Sequence, residues 1–440
     1  TVNVSGAQVN AITIETGATL TISSGNALTV GGTLTNNGTV TVQNSGSLVQ
    51  ATGSTLAGSG TYNVERIGAT GQRFNFWSSP ITSQSGVPGT SYSYDSNGST
   101  QDDTDDSPSD PGWSSYNGAM VPGVGYAGNG GGLATFNGTI NNGDVDVPLV
   151  FHAFDNTYTQ TTPGTPFNLV GNPYPSAISA ADLINDNASI DGTIFFWDDD
   201  LSGGTDYHRT DFAYWNGTGG LGTGAGSVGA PNGFISTAQG FYVRALNAGT
   251  LTFNNDQRVT GSNTQFFKTD GEDSRLWFSI ETDSLFNQVL IGALEDATED
   301  EDRLDDAVKL RSANGISLSA SGNNVEHAIR AFPPPAANKT IPLRVTTEAN
   351  GTHIFKAQTI ENFSDFALYL DDVQTGNSYQ LEEGVAIPVN LTAGEYTNRF
   401  FLNFVRTSFT GIEDAEESML QAYAANGFLH VGCNSCAPHA

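Results

Sequence analysis

An all-β fold follows from three properties of the sequence: short Gly-punctuated repeats near the N-terminus, Gly- and Asn-rich turns between brief apolar runs, and a late series of alternating strands. Residues 12–61 divide without remainder into ITIETGAT, LTISSGNA, LTVGGT, LTNNGT, VTVQNSGS, LVQATGST and LAGSGT. Each unit opens on an apolar residue and carries Gly late. Three units make a 22-residue coil twice over, at 12–33 and 34–55. Such a period suits a short parallel β-helix, with Ile12, Ile14, Leu20, Ile22, Leu28, Val30, Leu34, Val40, Val42 and Leu48 facing inward. A β-meander of hairpins uses the same alternation, so period two alone leaves both open; the constant coil length favours the helix.

Four segments then separate by texture. Residues 1–65 hold the β-helix-like repeat. Residues 66–268 form a Gly/Asn/aromatic-rich β domain, with strands expected at Val147–Phe154, Phe167–Val170 and Gly240–Ala245. It has one short helical candidate at Ala180–Ile184. Its Gly-rich stretch TGGLGTGAGSVGAPNG (218–233) reads as a surface excursion. In 269–408 the runs RLWFSIE, QVLIGAL, IPLRVTTE, THIFKAQT, FALYLDD, YQLEEG and NRFFLNFV predict a β-sandwich, with FPPPAANKT (332–340) as a stiff connection. In 409–440 an acidic linker leads to MLQAYAANGFLHV. Propensity there allows a helix, whereas Asn426-Gly427 between apolar runs points to a hairpin, and a terminal strand pair is expected.

The charge excludes whole classes of partner. Lys and Arg total 16 against 46 Asp and Glu, a formal net charge of −30. Such a surface repels phosphate backbones and anionic membranes, so neither nucleic acid nor direct membrane insertion is expected. It fits a salty or calcium-containing exterior, where cations screen it. No stretch approaches the roughly 20 apolar residues of a membrane span. The two cysteines, Cys433 and Cys436, lack the βαβ context of thioredoxin chemistry and read as a local disulfide or an inert pair. Thr1 begins directly in strand-like sequence, as expected of a mature exported chain.

Four quoted stretches carry a resemblance: VER…FNFWSSPI after the repeat, LVGNPYPSAISAADL (169–183), AQGFYVRA…GTLTFNNDQRV (238–259) and RLWFSI…FNQVLIGALEDATEDEDRLDDA (275–307). In this order they resemble the cell-surface proteins that Bacteroidota, particularly marine flavobacteria, export by the type IX secretion system. MLQAYAANGFLHV resembles the opening strands of that system's C-terminal sorting domain, which in the family continues for several more strands. The resemblance implies an extracellular surface location and brings no catalytic site. Asp283-Ser284-Leu285 resembles the O-glycosylation signal of the same bacteria, which implies a modification at Ser284.

Candidate chemistry begins with carboxylates. Asp102, Asp103, Asp105, Asp106 and Asp110 crowd one loop, Asp198, Asp199 and Asp200 another, and an acidic run covers 295–302. Calcium takes six to eight oxygens, often from one Asp-rich loop, so Ca²⁺ is the expected cofactor if there is one. None is an EF-hand: Asp95, Asn97 and Ser99 begin like one, but Thr100 stands where Gly is required. The six histidines show no metal spacing, and Ser78-Ser79-Pro80 lacks a nucleophile elbow. With 46 acidic residues, adjacency does not make a glycosidase pair, and two coils are too few for a lyase groove. Trp113, Tyr116, Tyr214 and Trp215, beside Asn and Asp, are candidates for stacking on sugars if they are exposed. The expectation is a non-enzymatic surface adhesin or filament subunit that self-associates through β edges, the alternative being a module that binds cell-surface glycans.

Overall fold

The computed structural model describes residues 1, 3, 6–70, 74–101, 112–198, 211–224, 229–261, 273–311, 315–322, 325–407, 420–425 and 428–433, the last two as backbone strands. The opening repeat is a parallel β-helix of three faces. One face stacks Ala7–Val9, Ala27–Val30 and Ser47–Gln50; the second stacks Ile12–Ile14, Thr33–Asn36 and Thr55–Ala57. The third stacks Thr19–Ile22, Thr39–Val42 and Thr61–Gly68. Leu28 sits beside Leu48, Leu34 beside Leu56 and Val40 beside Tyr62, all in parallel register. Hairpins would have paired antiparallel, so the meander is excluded. Ile22, Val30, Leu34, Val40 and Leu48 are fully buried, as the alternation requires. The late glycines are set by coil-to-coil approach. A Cβ on Gly38 would lie 2.5 Å from the Glu15 carbonyl, and one on Gly60 would meet the carbonyl of Gly38.

The last coil is covered by the next segment. Leu48 donates its N–H to the Pro175 carbonyl at 2.8 Å. Arg258, 5% exposed, donates to the Leu48 carbonyl (2.6 Å), Gln50 Oε1 (3.1 Å), Asn255 Oδ1 (3.2 Å) and Ser176 Oγ (3.2 Å). Its guanidinium also lies over the Tyr174 ring, 4.7 Å from the centroid. Burial without a carboxylate among these contacts pulls its pKa down to about 9. Within GNPYPS, fully buried Asn172 donates to the carbonyls of Ser176, Ile235 and Ser236 and accepts from the Tyr174 N–H. This motif is thus a cap for the solenoid. Gly132–Gly138 adds to Thr61–Gly68 antiparallel, and Trp77, Ile81, Tyr126 and Phe136 continue the coil's own core. Strand and core therefore run across residue 65.

In the middle segment Phe167–Gly171, Gly240–Ala245, Ile190–Trp197, Phe212–Asn216 and Gly219–Leu221 form an antiparallel sheet. The helix Ala180–Asp186 packs on it, with Ser179 as N-cap accepting from the Asp182 N–H. A smaller sheet orders Asn75–Trp77, Tyr126–Gly128, Ser91–Tyr94 and Trp113–Ser115. The segment has two cores: one is largely aliphatic, with Leu149, Ile178, Leu183, Ile190, Ile194 and Leu251, and the other is filled by rings, where Phe76 lies within 6.2 Å of Trp113, Trp197, Phe212 and Tyr242. Of the expected strand Val147–Phe154 only Val145–Leu149 forms, paired with Gly249–Phe253.

The C-terminal sandwich is one continuous sheet bent around a single core. Its path runs from Asn377–Gln380 through Phe366–Asp372, Gly394–Arg406, Lys339–Thr347, Ile316–Gly322, Val325–Phe332, Phe286–Ala293, Ser274–Glu281 and Gly351–Glu361 to Ile387–Leu391. Leu276, Phe278, Phe355, Leu370, Phe400 and Phe404 are all inside it. The two ends are drawn together where Leu381 donates to the Leu368 carbonyl and Gly384 to the Ala357 carbonyl. That near-closure leaves no long free edge on the sandwich. The strands Leu420–Ala425 and Phe428–Cys433 pair antiparallel, so the terminal segment is a hairpin rather than a helix.

Replacing Arg258 by Met keeps the length of the side chain but leaves the Leu48 and Gln50 oxygens without their donor. The expected cost is about 2–4 kcal/mol of unfolding free energy. Chemical denaturation measures it, and a loss below about 1 kcal/mol would show that the cap does not depend on this side chain.

Candidate functional site

The candidate calcium ligands Asp102, Asp103, Asp105, Asp106, Asp110, Asp199 and Asp200 lie outside the described residues. Asp198 is 3% exposed, and its carboxylate accepts from Thr223 Oγ1 at 3.0 Å. Among the described residues no group of three or more His, Cys, Asp or Glu is placed to hold a metal ion.

The acidic run at 295–306 has a different use. It forms a strap between the sandwich and the middle sheet, held by arginines. Arg330 pairs with Asp306 and donates to the carbonyls of Glu299 and Asp300. Arg303 donates to the carbonyls of Ile184 and Asn187 at 3.0 Å, closing the C-terminal end of the helix, and to that of Ile190. Gly192 and Gly217 receive the strap backbone by donating to the carbonyls of Arg303 and Leu304. A Cβ on Gly192 would run into the Arg303 carbonyl. Arg244 reaches Asp191 at 2.9 Å and Glu301 at 3.6 Å. Burial outweighs these partners: Asp306 is pushed up to about 6, and Asp191 is also raised.

The four aromatic candidates do not converge. Tyr214 is 3% exposed and its hydroxyl accepts from the Leu310 N–H at 3.1 Å, so it is a core ring and no sugar platform. Trp113 packs its ring 5.0 Å from Tyr94. Tyr116 stacks 4.8 Å from Tyr126 and donates to the Ala119 carbonyl. Trp215 alone reaches an open groove. Ser284 is exposed in the turn between Ser274–Glu281 and Phe286–Ala293.

That groove, of about 750 Å³, lies where 219–224 and 229–232 meet the outer face of the sandwich. These parts of the Gly-rich stretch are therefore packed on the sandwich and are not a surface excursion. Arg275 Nε donates to the Thr218 carbonyl (2.6 Å), Trp277 Nε1 to that of Gly220 (2.9 Å) and Gln288 Nε2 to that of Gly222 (2.9 Å). Glycine permits the contact, since a Cβ on Gly224 would come 2.7 Å from the Phe286 ring. Trp277, Phe286, Lys356 and Gln358 complete the floor; none was singled out from sequence. Trp277 was legible there, because it is the outward residue between inward Leu276 and Phe278.

The first coil is uncovered among the described residues. Among the described residues, Ala7–Val9, Ile12–Ile14 and Thr19–Ile22 each have one strand partner, on the side of the next coil. Ile12 and Leu20 are half-buried, whereas Leu34 and Val40, one coil on, are fully covered.

A family model described as Domain of unknown function (DUF8693) matches residues 1–404. No curated protein and no solved structure matches the chain.

The buried polar groups make a pH prediction. His327 is 3% exposed with neither ring nitrogen bonded, and burial, reinforced by Arg330 and Arg244, lowers its pKa from 6.5 to about 3. The unfolded chain takes up this proton first, so the contribution of His327 to stability is complete above 6.5 and falls away toward pH 3. His327→Leu should therefore gain on the wild type as the pH drops from 6.5 to about 4, measured by urea unfolding. A difference independent of pH would contradict the assignment.

Proposed function

Since this chain belongs to the DUF8693 family, whose description carries no activity, we propose a function from its geometry: a secreted, non-enzymatic structural or adhesive protein of the cell surface that binds further copies of itself through exposed β edges. The asymmetry of the solenoid carries this reading. At one end two of the three faces are covered, by Arg258 and Pro175 and by Gly132–Gly138, and Thr55–Ala57 keeps an open edge, while all three strands of the first coil keep an edge without a partner among the described residues. Unpaired N–H and C=O groups along such an edge accept a further strand, and a stacked coil would bury Ile12 and Leu20 as the second coil buries Leu34 and Val40. The terminal hairpin, paired only with itself among the described residues, supplies a second edge of the same kind. A net charge of −30 opposes contact between copies, so association needs screening by salt or Ca²⁺. The resemblance to type IX exported proteins supports a surface location, where such ions are present.

Sedimentation velocity of the 440-residue chain, with negative-stain electron microscopy, tests the proposal. Raising protein concentration and ionic strength, with millimolar Ca²⁺, should give oligomers or fibres. Leu20→Lys puts a charge on the half-exposed end of the stack and should hold the protein monomeric without changing its melting temperature. A wild type that stays monomeric throughout sinks the proposal.

A further inference from the structure

We propose that the groove on the outer face of the sandwich binds a neutral oligosaccharide. This is independent of self-association, since the groove involves neither the first coil nor the terminal hairpin. Its volume, about 750 Å³, falls in the range of specific ligand sites. The floor is a paired sheet: Ser274–Glu281 pairs along its length with both Phe286–Ala293 and Gly351–Glu361.

The chemistry of the lining selects the ligand. Trp215, Trp277 and Phe286 offer ring surface, and the Trp277 ring is fixed by its bond to Gly220. Sugar C–H faces pack on such rings. Gln288 and Gln358 each use Nε2 inside the protein, on the Gly222 carbonyl and on Ser279 Oγ (2.8 Å). The amide oxygens are thereby oriented, and no described donor reaches them, so they can accept from hydroxyls. Lys356 Nζ touches Glu281 at 2.8 Å and keeps further protons to donate. Neighbouring donors and acceptors of this kind match vicinal hydroxyls, each of which does both.

Charge rejects the alternatives. The two cations of the groove are more than matched by carboxylates: Lys356 meets Glu281, and Arg275 meets Asp273 at 2.7 Å and Glu361 at 3.9 Å. With no unmatched cation, the floor offers an anionic polymer no net attraction. The paired charges and amides likewise make a poor home for an aliphatic ligand, whose burial would strip them of water.

The test is titration calorimetry, with tryptophan fluorescence in parallel, against laminaripentaose, cellopentaose, xylopentaose and mannopentaose, and against oligoalginate as the anionic probe. At least one neutral pentaose should bind with submillimolar affinity and alter the tryptophan emission. Phe286→Ala and Gln358→Ala should each weaken that binding at least tenfold while the melting temperature holds. Lys356→Met, which leaves the ring platform in place, should weaken it by a smaller factor. Absence of binding by all four at millimolar concentration, a stronger response to oligoalginate, or binding unaffected by both Phe286→Ala and Gln358→Ala would each overturn the assignment.

Discussion

The buried guanidinium of Arg258 is the contact on which the arrangement of the molecule turns. A parallel solenoid presents bare carbonyls and amide hydrogens on its last coil, and something must satisfy them. Arg258 does so with a planar fork directed at the Leu48 carbonyl and Gln50, steadied by Tyr174 beneath it. The groups it touches are neutral, so burial lowers its pKa, and Tyr174 opposes that shift. The residues that build this cap come from two distant stretches, GNPYPS and NNDQRV, which explains why motifs that look like signatures hold no reacting groups.

Arginine recurs at the other junctions. The sequence has only 16 basic residues, yet Arg244, Arg303 and Arg330 gather on the acidic strap and Arg275 fixes the Gly-rich stretch to the sandwich. Directional bonds from these few cations to backbone carbonyls and buried carboxylates tie the segments together where their cores meet. With 46 acidic residues against 16 basic ones, so many of the latter engaged at junctions, the negative charge of the surface is little offset.

How much of this could be read beforehand depends on range. The coil was legible because each unit repeats its neighbour, and Leu28, Leu34 and Val40 meet residues about 20 positions away. The helix at Ala180 was legible as a short local run. The packing of the Gly-rich stretch was not, because Gly224 is required by the approach of Phe286 and the Gly220 carbonyl is held by Trp277, both on strands far along the chain. The run at 295–302 looked like a cation site for the same reason: six carboxylates are visible in sequence, but Arg244 and Arg330, which reach it, lie far along the chain. Tyr214 and Trp215 are adjacent letters with opposite fates, since successive residues of a strand face opposite sides.

The shared interiors have a consequence for inheritance. The solenoid core continues into Trp77 and Phe136, and the aromatic core of the middle segment continues into Leu290 and Ile329 of the sandwich. A recombination event that carried away residues 1–65, or the sandwich alone, would split a core, and the first cut would also part Leu48 from Arg258. Such pieces are not exchangeable modules, because each would leave with apolar surface exposed.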